Sequence, residues 1–189
     1  MKAGSNARPF VALGTAVPAQ IAFFAALTAV AARVTVHLPG TPVPLTMQVL
    51  AVLLAGTLLG RRKGAASQVA YLLAIAAGLP LDAKGIGPAA FAGPTAGYLF
   101  AFVGAAFVAG WLRQRLPRGL AGAFVASCAA VLGLYAFGTL WLSVYLGSSL
   151  RVAWSLGAVP FLTADLAKAL LCAGITVAST SRRGARPPR

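Results

Sequence analysis

Asp165 and Lys168 stand three residues apart in the run 160–169. That spacing puts both on one face of a helix, about one turn from each other. They are the only opposed charges inside any apolar segment of the chain. A carboxylate accepts N–H hydrogen bonds and an ammonium donates to anions, so the pair suits a ligand with its own donors and a carboxylate. A charged side chain near a bilayer centre costs about 2.5–3.5 kcal/mol on insertion scales, which makes such residues functional candidates by default. The competing reading is a structural ion pair that fixes helix packing, with Lys168 snorkelling. Tyr98 follows Gly93-Pro94-Thr95-Ala96-Gly97 at the head of another apolar segment. Its hydroxyl is expected on the same side as the start of the Asp165 segment, where it either faces a ligand or belongs to an interfacial aromatic belt.

Other chemistry is scarce. A single His37 excludes a multi-histidine metal site, and Cys128 and Cys172 lie apart in apolar stretches without CxxC spacing. No GxxxxGK[ST] loop occurs; Gly60-Arg61-Arg62-Lys63-Gly64 has neither the spacing nor the Ser/Thr. The chain is therefore not expected to hydrolyse ATP by itself. Gly85-Ile86-Gly87 reads as a turn. Asp82 and Asp165 are the only acids and one belongs to a loop, so an aspartyl protease dyad is not favoured. The expectation is no catalysis and no cofactor.

The elements that must hold these residues follow from composition. Of 189 residues, 59% are hydrophobic and 10% charged, with a mean hydropathy of +0.85. Soluble domains carry about 45–50% apolar and about 25% charged residues. The composition points to an all-α, polytopic membrane protein forming one integral-membrane domain over 1–189. Six apolar segments are read at about 12–32, 47–60, 65–79, 96–112, 120–146 and 157–179. The first is taken as a retained helix, longer than a signal-peptide core. The second and third are short for a bilayer core of about 30 Å. Ahead of the second lie Pro39, Gly40, Pro42 and Pro44, which forbid a regular helix in an apolar stretch. Irregular backbone at membrane depth is tolerated only against protein or a cavity. A loop folded back into the protein is favoured over an interfacial connector.

The formal net charge of +14 would suggest nucleic acid in a soluble chain, but the basic residues cluster between apolar runs and no nucleic-acid partner is expected. With the N-terminus cytoplasmic, twelve of sixteen basic residues fall inside: Lys2, Arg8, Arg61, Arg62, Lys63, Arg113, Arg115, Arg118, Arg182, Arg183, Arg186 and Arg189. Arg33, Lys84 and Arg151 fall outside. The positive-inside rule thus gives six transmembrane helices with N- and C-termini cytoplasmic, including a cytoplasmic 1–11 and a basic tail 180–189. Gly56/Gly60 and Gly93/Gly97 have the spacing that lets helices approach closely, with internal packing favoured over a partner interface.

Taken together, Pro42-Val43-Pro44-Leu45-Thr46-Met47-Gln48, the Gly60…Gly64 turn, Gly78-Leu79-Pro80, Gly93-Pro94-Thr95-Ala96-Gly97-Tyr98 and Pro160-Phe161-Leu162-Thr163-Ala164-Asp165-Leu166-Ala167-Lys168 occur in an order that resembles the BioY family. These are the biotin-specific substrate-binding (S) components of energy-coupling-factor transporters. The resemblance implies six transmembrane helices in a bacterial or archaeal cell membrane. It implies a biotin pocket on the extracytoplasmic side, a covering loop between helices one and two, and delivery together with a transmembrane coupling protein and two ATPase subunits. It assigns Asp165 to the ureido N–H groups of biotin, and Lys168 to balancing Asp165 or binding the carboxylate. Tyr98 matches the pocket tyrosine, Thr46 and Gln48 lie in the lid motif, and Phe91 and Trp141 are candidates to pack on the ring and tail. Small residues of helix one, Ala12, Ala16, Ala22 and Ala26, are candidates to contact the coupling protein.

Two departures accompany the resemblance. Asp82-Ala83-Lys84-Gly85-Ile86-Gly87-Pro88 replaces a loop that often carries an amide, so one ureido contact falls to backbone or to Asp82. Ala96 and Ala164 stand where Gly is common. The alternative function is a stand-alone secondary carrier for biotin or a related carboxylate, although the two halves show no clear repeat.

Overall fold

The computed structural model describes residues 16–184, with side chains described to Thr180. The expected cytoplasmic segment 1–11, Ala12 and residues 185–189 of the basic tail lie outside those residues. The fold is helical: α1 (Val17–Arg33), α2 (Gln48–Leu59), α3 (Arg61–Ala76), α4 (Ala96–Arg115), α5 (Leu120–Leu146), α6 (Leu150–Gly157) and α7 (Leu162–Gly184). Three stretches, Ala96–Arg115, Leu120–Leu146 and Leu150–Thr180, are long and apolar enough to cross a membrane; α1 and α2 are apolar but shorter.

The proline-rich stretch forms a hairpin. Strands β1 (Thr35–Val36) and β2 (Leu45–Thr46) pair antiparallel, Thr35 with Thr46 and Val36 with Leu45. Its far end is tied down: Thr41 Oγ1 donates to the Leu156 carbonyl on α6 (2.7 Å), and Val43 and Pro44 are buried. The 41–46 limb folds back against the protein, whereas Val36, His37, Pro39 and Gly40 are exposed.

Short α2 and α3 are explained by Gly60. It sits at φ +83°, where only glycine is free of strain, and its N–H caps α2 on the Gly56 carbonyl while α3 starts at the next residue. The chain thus reverses without a loop. The expected sixth segment is corrected at its start: residues 157–161 belong to the end of α6 and a 3-10 turn holding Pro160, and α7 begins at Leu162. The short α6 was not anticipated. Ser149 caps it by accepting from the Val152 N–H (3.4 Å).

The interior is built on close approach. α4 packs against α5, α2 and α3, and α7 against α5 and α2. A Cβ on Gly56 would collide with the Ala106 carbonyl, and one on Gly64 would lie 2.7 Å from the Ala55 carbonyl oxygen. The small residues here serve internal packing. Large apolar side chains such as Leu73, Leu132, Val144 and Leu170 face outward, while Thr28, Ser67, Gln68, Ser127 and Thr176 are buried. That inversion suits a lipid-solvated exterior.

Candidate functional site

Asp165 lies in the first turn of α7, just past the Pro160 break, where a negative charge is favoured by the helix dipole. It is 3% exposed and Lys168 is 7% exposed. Asp165 Oδ1 accepts from Lys168 Nζ at 2.6 Å, and Oδ2 accepts from the Tyr135 hydroxyl of α5 at 2.6 Å. Lys168 Nζ also donates to the Thr46 carbonyl at 2.7 Å. One carboxylate and one ammonium therefore join α7, α5 and the hairpin. A buried ion pair offsets its desolvation only when further hydrogen bonds satisfy the remaining groups, and here Tyr135 and Thr46 supply them.

These residues face a cavity. Its wall includes Val43–Thr46 of the hairpin, Gln48, Asp82 and Lys84 from the loop after α3, Tyr98 and Phe102 of α4, Tyr135 of α5, and Phe161, Asp165 and Lys168. The cavity thus brings together Asp165, Lys168, Tyr98, Thr46, Gln48 and Asp82.

Thr46, Gln48 and Asp82 are held in place by further hydrogen bonds. Thr46 Oγ1 accepts from the Gln48 backbone N–H (3.3 Å) and donates to Gln48 Oε1 (3.2 Å). Gln48 Nε2 donates to the Tyr71 hydroxyl (2.7 Å), which donates to the Leu81 carbonyl (3.1 Å). Asp82, 3% exposed, spends its oxygens on its own loop: Oδ1 accepts from the Gly87 N–H (2.8 Å) and Oδ2 from the Lys84 N–H (3.0 Å). Each carboxylate oxygen keeps a second acceptor site.

Tyr98 is buried, its hydroxyl donating to the Gly157 carbonyl at 2.9 Å. It is a wall residue rather than a belt residue. A Cβ on either Gly138 or Gly157 would collide with it, so both glycines make its room.

Phe91 and Trp141 are not in the cavity wall. Phe91 stacks on Phe100 with centroids 5.4 Å apart, and Trp141 Nε1 donates to the Gly93 carbonyl at 3.0 Å. Both brace the turn before α4 instead of touching the cavity. Ala16, just ahead of α1, and Ala22 and Ala26 on it are exposed. Ala96 and Ala164 take helical backbone, and no described non-glycine residue has positive φ.

Two titratable wall residues were not among the expected site residues, Tyr135 and Lys84. Tyr135 looks like any aromatic in an apolar run, and only the packing of α5 on α7 brings it to Asp165. Lys84 looked like a charge in an outer loop. No group of three or more His, Cys, Asp or Glu among the described residues could hold a metal.

A family model described as the BioY family matches residues 5–185. The chain is 40% identical over 141 residues to a biotin transporter BioY of Rhizobium etli, covering 70% of this chain and 75% of that protein. It is 39% identical over 150 residues to a probable biotin transporter BioY of Pyrococcus horikoshii, covering 79% and 86%. The crystal structure of the S-component for biotin from an ECF-type ABC transporter matches with a TM-score of 0.80 at 26% identity, over 88% of this chain and 90% of that one.

Proposed function

This chain belongs to the BioY family, and from that premise we propose that it is the membrane-embedded biotin-binding subunit of an uptake transporter. It binds and delivers; it does not catalyse. The observation that carries this reading is the buried Asp165, fixed by Lys168 and Tyr135 in the wall of a cavity beneath the hairpin.

The chemistry follows from the unused acceptor sites. Each Asp165 oxygen already takes one donor and can take a second. The ureido ring of biotin carries two N–H donors and a carbonyl acceptor. Asp165 accepts from the ring, and the remaining Lys168 proton lies close enough to the carboxylate to serve the ring carbonyl. Gln48 adds a side-chain amide on the same wall. Leu99, Phe102, Leu134 and Phe161 supply apolar surface for the thioether ring and tail. Because Lys168 and Tyr135 already hold the carboxylate, little ordering cost falls on binding.

For topology, α1, α2, α3, α4, α5 and α7 are taken as six spans with both termini cytoplasmic. Charge placement supports this. The backbone of Arg61 lies against Gly110, and Lys63 Nζ donates to Gln20 Oε1 (3.3 Å), so the α2–α3 turn, the end of α4 and the start of α1 share one basic end. Arg33, which bonds the Pro80 carbonyl, and Lys84 lie at the cavity end. The cavity then faces the extracytoplasmic side of a bacterial or archaeal cell membrane. The partners are a transmembrane coupling protein and two ATPase subunits, with exposed Ala16, Ala22 and Ala26 at the start and along α1 offered to the coupling protein.

The test is labelled-biotin handling in proteoliposomes. The subunit reading expects saturable binding by the chain alone and accumulation only with the coupling module and ATP. Concentrative uptake by the chain alone would establish the carrier alternative instead.

A further inference from the structure

We infer that Lys84 binds the carboxylate of the ligand and thereby selects the free acid over its esters and amides; this deepens the biotin reading and rests on it. Biotin is a bipolar ligand. Its ureido ring and its carboxylate lie at opposite ends of a flexible aliphatic tail. Lys168 Nζ is 2.6 Å from Asp165 Oδ1. A ligand whose ring sits on Asp165 therefore has its carboxylate beyond the reach of Lys168 unless the tail doubles back. Two of the three Lys168 donors are also committed, to Asp165 and to the Thr46 carbonyl.

The carboxylate needs another cation in the cavity wall. Lys84 is the only other basic residue lining it among the described residues. Arg33 bonds the Pro80 carbonyl and, with His37 and Arg151, lies outside the wall. Asp165–Lys168 is the only ion pair among the described residues, so no acid lies within ion-pairing distance of the Lys84 ammonium. Lys84 is exposed, as a rim residue meeting the solvated end of a ligand would be.

Its backbone is fixed in advance. The buried Asp82 accepts from the Lys84 N–H and from the Gly87 N–H, which fixes the turn that carries Lys84. Asp82 is thus a positioning residue for Lys84. The four charged wall residues, Asp82, Lys84, Asp165 and Lys168, sum to zero. An incoming carboxylate finds no net repulsion, and a solvated ammonium at the rim pairs with it at modest desolvation cost.

The experiment compares affinities of biotin, biotin methyl ester and biotinamide for purified wild type, Lys84→Gln and Lys84→Arg. Wild type is expected to prefer the acid by about tenfold or more, a charge-assisted contact read as an affinity ratio. Lys84→Gln should erase that preference while leaving ester affinity unchanged, and Lys84→Arg should keep it. A preference that survives in Lys84→Gln overturns the inference, as does equal weakening of acid and ester. Wild type that binds neither acid nor ester overturns the biotin reading itself, and this inference with it.

Discussion

The seam between α2, α3 and α4 and the chamber between α4, α5, α7 and the hairpin are built on opposite principles. The seam is closed mainly by glycines. Gly56 admits the Ala106 carbonyl, Gly110 admits the backbone of Arg61, and Gly64 admits Ala55. Its cohesion is contact between backbones brought together by missing side chains. The chamber holds both acids and two of the sixteen basic residues, each close to a named partner or an open cavity. In a chain with 10% charged residues, packing is delegated to small residues, and the buried charges among the described residues, Asp82, Asp165 and Lys168, are gathered in one place. The two regions should therefore fail differently: the seam through stability alone, the chamber through affinity as well as stability.

The largest effect is expected where the chamber carries stability as well. Lys168→Met leaves the buried Asp165 carboxylate without its cation, a loss of about 3–5 kcal/mol for breaking a buried pair. Thermal unfolding in detergent should show a marked fall for this variant. An unchanged midpoint would mean that the pair contributes nothing to the fold.

Gly56→Ala is the matching cut through the seam. Its methyl must displace the Ala106 carbonyl of α4, and overpacking of this kind costs about 1–3 kcal/mol. The unfolding midpoint should fall while the affinity of the folded fraction for biotin stays at the wild-type value. A large change in affinity would show that the seam and the chamber are coupled.

Tyr135→Phe is the finer probe. It removes one hydrogen bond to Asp165 and leaves the ion pair intact. Biotin affinity should fall about tenfold, with a smaller shift in unfolding than Lys168→Met gives. Full affinity would reduce Tyr135 to a packing residue.

Much of the chamber was legible because its signals are local. Asp165 and Lys168 are three apart, and they are the only opposed charges within an apolar segment, so a helix alone brings them together. The three prolines around Gly40 ruled out a helix, and the fold-back followed. Tyr135 was not legible, because its meeting with Asp165 depends on how α5 turns against α7 across a separation of 30 residues. Phe91 and Trp141 show the reverse: their residue type suits a ligand ring, but they lie outside the cavity wall and brace the turn before α4. The helix α6 is only eight residues long, too short for an apolar count, although Ser149 ahead of Leu150 is a capping signal that could have marked it. Asp82 suggested a ligand contact, but its oxygens also shape their own loop. That role emerges only once the folded turn brings the Gly87 and Lys84 N–H groups to them.

The most direct test of the account is calorimetry of biotin with the purified protein in detergent, wild type beside Asp165→Asn. Asparagine preserves the shape and removes the charge. Wild type is expected to bind tightly, with an affinity about a hundredfold lower in the variant, the scale of losing charged hydrogen bonds. Its cooperative unfolding should persist. Equal affinity in a folded Asp165→Asn would contradict the central claim and leave Asp165 as a packing residue.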